Sequence, residues 1–162
     1  EMIRYFGNDV KRINHALKVH AFAKLIDETE GLPAKKREIL ELSAILHDIG
    51  IHEAERKHGS TAGKYQETEG PDIAEGIMQK CGTDSAIVPR VLYLIGNHHS
   101  YTKIDDIDFR MLVEADFLVN LYEDGADNMA ASAAAKKVFR TKTGMELVSS
   151  MYSVSVKRDN EI

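Results

Sequence analysis

The chain has 162 residues, enough for one domain with a sizeable apolar core. Hydrophobic residues supply 43% and charged residues 29%, the balance of an ordinary soluble globular protein. The formal net charge of -5, with no long basic run, argues against a nucleic-acid polymer as the main partner. A phosphorylated small molecule stays open, because a metal ion supplies positive charge locally. No apolar run approaches the roughly 20 residues of a membrane span, and no signal peptide is evident, so no membrane partner is expected. The single cysteine, Cys81, cannot close an internal disulfide and points to a reducing, cytoplasmic setting. The chain opens on Glu1 rather than Met, so a residue added by cloning or a missing start is expected.

Taken in order, the chain reads as helix after helix. Asn8 or Asp9 caps a long segment running to about Glu30, with Gly31 as its stop. Pro33 opens a second helix, where its missing N–H costs nothing, and this helix runs to about His47 or Asp48 before Gly50. Residues 51–70 are polar and contain glycines, and read as a long functional loop or short broken helices. A helix follows from about Pro71 to Lys80, ended by Gly82. Asp84 caps another to about His98, with Pro89 tolerated near its first turn. Further helices are expected over 107–124, stopped by Gly125, over the Ala-rich stretch 128–140, and over 143–152. The brief alternation in Tyr152–Val156 is too short to argue for a strand. The expectation is one all-α domain over residues 1–162, a compact helical bundle of about six to eight helices.

His47 and Asp48 stand out at the end of the apolar run Leu40, Leu42, Ala44, Ile45, Leu46. An unpaired buried charge costs several kcal/mol, on the scale of a whole small domain's stability, so these groups need partners. A helix turns about 100° per residue, so faces can be compared. His15 shares a face with Val19, Phe22 and Ile26, while His20 points roughly 140° away beside Lys24 and Asp27. His47 stacks over Ser43 and Leu40. Asp116 lies mid-helix on a stripe with Phe109, Leu112, Val113 and Val119. His98 stacks on Leu94 and Val91, and His99 on Ile95 and Leu92, so geometry does not choose between them.

Each group alone has an ordinary explanation. His15 can be a satisfied core histidine, His47 and Asp48 a helix-end cation beside a solvated aspartate, and His98 or His99 a capping histidine. Asp116 can be buried in a salt bridge to Arg110 or Arg12. Together, four helices each deliver a ligand-type side chain from an apolar face, which is how metal sites in bundles are built.

The order of these residues resembles the HD-domain superfamily of metal-dependent phosphohydrolases, whose signature is H…HD…D. The matching pieces are "RINHALKVHAFAKLI" with His15, "LHDIG" with His47 and Asp48, and "VEADFLVN" with Asp116. The resemblance implies an HD-type bundle in which His15, His47, Asp48 and Asp116 hold one divalent transition metal (Fe, Mn, Ni, Co or Zn). It admits a second ion, held with His98 and His99, for which the superfamily usually supplies an earlier histidine. Here Glu69 or Gly70 stands in that place, and Glu69 is the expected oxygen ligand, with His58 as a fallback. Asp48, His98 and His99 are then the catalytic residues, acting with a metal-activated water on a phosphate ester.

Substrate contacts are expected from Arg12, one turn before His15, and from Lys64 on a phosphate and Tyr65 on a base. Ile51 stands where a lysine often follows "HDIG", and "HHSYTKIDD" lacks the motif of the cyclic di-GMP branch, so that substrate is not assigned. Two other readings remain: an HD-type di-iron oxygenase with ligand order H…HD…H…H…D, and a non-catalytic metal- or nucleotide-binding module.

Overall fold

The computed structural model describes residues 1–154. Within them lie nine α-helices, a short 3-10 turn and no strand, as the all-α reading requires. The helices are α1 (Met2–Phe6), α2 (Val10–Glu30), α3 (Ala34–Leu46), α4 (Ile51–His58), α5 (Gly63–Cys81), α6 (Val88–Ile95), α7 (Ile107–Glu123), α8 (Asn128–Val138) and α9 (Lys142–Tyr152). The 3-10 turn covers Tyr101–Lys103. Ser155 and Val156, part of the alternating stretch, and the rest of the domain range to 162 lie outside the described residues. No described helix is long and apolar enough to cross a membrane.

The two long N-terminal boundaries follow their punctuation. The Asp9 side chain accepts the Arg12 N–H at 3.1 Å, and α2 ends at Gly31 with φ 76°. Pro33 precedes the first residue of α3. Of the two readings of 51–70, a long loop or short broken helices, the structure takes the helical one. The segment is α4 and the first turns of α5, joined through Gly59 in a left-handed conformation. The polar residues of α4 are its solvated face, while Ile51 and Ala54 turn inward. Helix α5 therefore starts eight residues before Pro71 and runs through it. A proline inside a helix costs about 3 kcal/mol, and packing of α5 on α4 and α6 offsets this. The helix count exceeds eight because α1 and α4 add to the expected set.

Helix α7 is the central rod, with Phe109, Met111, Leu112, Ala115 and Leu118 fully buried. Helices α2 and α3 pack on it and on each other, and α6 packs on α3 and α5. Helices α8 and α9 cover its other side. Their turn is fixed by Glu114, a buried carboxylate that accepts from Thr141 Oγ1, the Thr141 N–H and the Arg140 N–H. Near the start of α7, Arg90 of α6 forks onto Asp105 and the buried Asp108, at 2.6–3.0 Å, tying the last residues of the α6–α7 segment and the first turn of α7 back to α6.

The start of α4 crosses α5 at two glycines. A Cβ added to Gly50 would sit 2.5 Å from Gly70 N and 2.7 Å from Gln66 O, so only hydrogen fits between these backbones. This crossing lies two residues after Asp48 and sets where the His47–Asp48 turn meets α5.

Candidate metal centre

His15 projects from the middle of α2, His47 from the end of α3, Asp48 from the turn that follows, and Asp116 from the middle of α7. All four meet. His15 Nε2 lies 3.2 Å from His47 Nε2 and 3.2 Å from Asp116 Oδ1. His47 Nε2 lies 3.6 Å from Asp116 Oδ1 and from Asp48 Oδ1, and His15 Nε2 lies 3.7 Å from Asp48 Oδ2. His15 is 7% exposed, Asp116 5% and His47 0%, so water does not satisfy them in place of a partner.

The other ring nitrogens show what the cluster lacks. His47 Nδ1 donates to the Ala44 carbonyl at 2.9 Å, and His15 Nδ1 donates to Glu123 Oε2 at 3.0 Å. Each Nε2 then presents a lone pair, and two lone pairs face each other and two carboxylates that can only accept. Such a set asks for a cation. Donor atoms about 2.1 Å from a shared ion lie about 3.0 Å apart at right angles and about 3.4 Å apart in a tetrahedron, close to the separations found.

Protons are the competing cations. Burial lowers the His47 pKa, but Asp48 and Asp116 outweigh burial and push it up to about 9. His15 is raised for a similar reason, burial being outweighed by Asp116 and Asp48. Burial raises Asp48 and Asp116, yet the imidazoles around them hold both carboxyls well below the usual range.

A second group shares Asp48. His98 Nε2 is 3.2 Å from Asp48 Oδ1, while its Nδ1 donates to the Ile95 carbonyl at 2.8 Å. His99 packs beside it with ring centroids 4.0 Å apart, and Asp48, His98 and His99 have donor atoms within 4.8 Å of one another. His99 Nε2 is buried without a hydrogen-bond partner, an orphaned ring nitrogen that a second cation would satisfy. Burial pushes the His99 pKa down to about 4. Gly63 permits this placement, because a Cβ there would collide with the His99 ring. Both neighbouring histidines thus reach the site, an outcome that face geometry alone left open.

The structure does not bring Glu69 to this group, which corrects its expected place among the ligands. Its carboxylate pairs with Lys57 and with His58 Nε2 at 2.9 Å, on the side of α5 facing α4's solvated end. Gly70, one step round, faces inward against Gly50. His58 is held by Glu69 and stacks on Tyr65 at 4.2 Å, so it is no fallback ligand either. Lys64 lies 4.6 Å over the Tyr65 ring, and both belong to the first turn of α5 rather than to a loop. Arg12 Nε approaches Asp9 Oδ2 at 3.9 Å, too far for a hydrogen bond, and is buried with no hydrogen-bond partner. The salt-bridge explanation for Asp116 is replaced: its neighbours are His15, His47 and Asn120 Nδ2 at 2.9 Å, while Arg110 donates to the Val138 carbonyl.

Three supporting residues escaped the sequence reading. Asn120 and Glu123 follow Asp116 at i+4 and i+7, the same face of α7, which is a legible spacing. Glu67 accepts the His99 N–H at 3.0 Å and the Ser100 hydroxyl at 3.1 Å, a contact between segments that no local pattern reveals.

The family model described as HD domain matches residues 12–140, most of the chain and every residue of the cluster. The chain belongs to the HD-domain family. No curated protein and no solved structure matches it. HD domains are metal-dependent hydrolases as a class, and the buried His/Asp groups of this HD-domain protein fit that chemistry.

Proposed function

We propose that this HD-domain protein is a metal-dependent phosphohydrolase, a phosphomonoesterase or phosphodiesterase acting on a nucleotide or another phosphorylated small molecule in the cytoplasm. The supporting observation is the convergence of two bare imidazole nitrogens and two carboxylates on one point, with His98 and His99 on the other side of Asp48. A mixed imidazole and carboxylate set suits Fe, Mn, Ni, Co or Zn better than Mg or Ca. A bound ion of this kind would lower the pKa of a coordinated water and offset charge on the phosphoryl oxygens.

The chain's own residues supply the rest. Asp48 turns Oδ1 towards His47 and His98 and Oδ2 towards His15, so it serves both groups at once. His99, kept neutral by burial, is a lone-pair donor or a proton acceptor for water. Arg12 offers a partly buried positive group one turn from His15 for a substrate phosphate. Lys64 and Tyr65 are assigned more distant contacts, to a phosphate and to a base. The oxygenase alternative needs a further ligand between Asp48 and His98, and Glu69 is engaged elsewhere, so hydrolysis is preferred.

The test is phosphate release from nitrophenyl esters and nucleotides with each metal in turn. Asp48→Ala is expected to lose activity at least about 100-fold while staying folded by circular dichroism. Undiminished hydrolysis in the folded variant would remove the assignment, and tight nucleotide binding without turnover would favour the binding module.

A further inference from the structure

We infer that Glu123 is a positioning residue that holds His15 as a metal ligand, and that Lys18 holds Glu123 in that role. The inference rests on the metal-centre reading above and extends it to α7's last residue. His47 and His98 each anchor Nδ1 on a carbonyl three residues earlier, Ala44 and Ile95, because both rings sit where a helix ends and carbonyls come free. His15 has no such choice. It lies in the middle of α2, where backbone carbonyls are taken by the helix's own N–H groups. Its Nδ1 must find a side chain from another element, and the one it finds is Glu123 Oε2 at 3.0 Å.

The arrangement is specific. Glu123 sits two turns beyond Asp116 on one face of α7, so a single helix supplies both a ligand and the carboxylate that orients the opposing ligand. Lys18, one turn after His15 on α2, binds the other oxygen, Oε1, and lies 5.8 Å over the Tyr122 ring. Both carboxylate oxygens are therefore committed, and the ring cannot turn without breaking the bond. A carboxylate behind an imidazole fixes its tautomer and raises its basicity, and loss of such a partner typically weakens metal binding about 10- to 100-fold.

Zinc titration against a chromophoric chelator tests this, with wild type, Glu123→Ala, Glu123→Gln and Lys18→Met. The expected result is a 10- to 100-fold loss of affinity in Glu123→Ala. Glu123→Gln, which keeps an acceptor oxygen, should recover part of it, and Lys18→Met should lose less than Glu123→Ala. In the zinc-loaded wild type, the His15 Nδ1 proton should be visible by nuclear magnetic resonance and slow to exchange, and in Glu123→Ala it should be lost. A Glu123→Ala protein with wild-type zinc affinity overturns the inference and leaves the metal centre standing, even if its melting temperature falls, since Glu123 would then only tie α2 to α7. A wild-type chain that binds no zinc or other divalent metal overturns the metal-centre reading itself.

Discussion

His47 carries a strong electrostatic demand at the centre of the cluster. It is fully buried, faces two carboxylates, and its pKa of about 9 means a proton fills the role of cation when no metal is present. A metal must displace that proton, so affinity should rise as pH climbs from 6 towards 9, and each ion bound should release protons. Calorimetry in two buffers of different ionisation enthalpy reads the number released, and a pH-independent affinity would contradict the assignment. Asp116 has a complementary place: Asp116→Asn keeps the shape and the Asn120 contact but removes the charge shared by His15 and His47. Metal affinity should fall at least about 10-fold, read by the same chelator competition. At this scale much was legible. The preference for His15 over His20 follows from helix geometry, and His20 does turn away, to Glu41 at 3.3 Å. Glu123 shared a legible spacing with Asp116, but an acidic residue at a helix end has a solvated explanation that only its contact with His15 displaces.

The elements matter through how closely they approach. Helices α4 and α5 touch backbone to backbone at Gly50 and Gly70, and the atoms a new Cβ would meet cannot swing aside. Gly50→Ala should therefore cost about 1–3 kcal/mol, seen as a melting temperature several degrees lower. The same crossing explains the misplacement of Glu69. Gly70 takes the inward position because its bare backbone lies against Gly50 and a Cβ there would press on Ile95 of α6, and Glu69 is left to pair with Lys57 and His58. For 51–70 the helical alternative holds and the loop does not, for a related reason. Polar residues and glycines suggest a loop when counted by composition, but here they are the outer face and the contact points of the short α4 and the first turns of α5.

At the scale of the molecule, the cluster draws on positions from 15 to 116 and on helices α2, α3 and α7, so an ion bound there ties the core together. Addition of the correct divalent metal should raise the melting temperature, and chelation should reverse it. With free metal at about 100 times its dissociation constant, the stabilisation is about 2.7 kcal/mol. A melting temperature indifferent to Mn, Fe, Co, Ni and Zn would count against a site built from three helices.

The all-α class, most helix boundaries and the family signature of His15, His47, Asp48 and Asp116 can be read from one chain, because they depend on periodicity, caps and residue order. Tertiary structure alone decided that His98 and His99 both reach Asp48, that Glu69 does not, and that Glu67 and Glu123 support the histidines. Those outcomes depend on the distance and angle at which one helix crosses another, and no residue carries that information by itself.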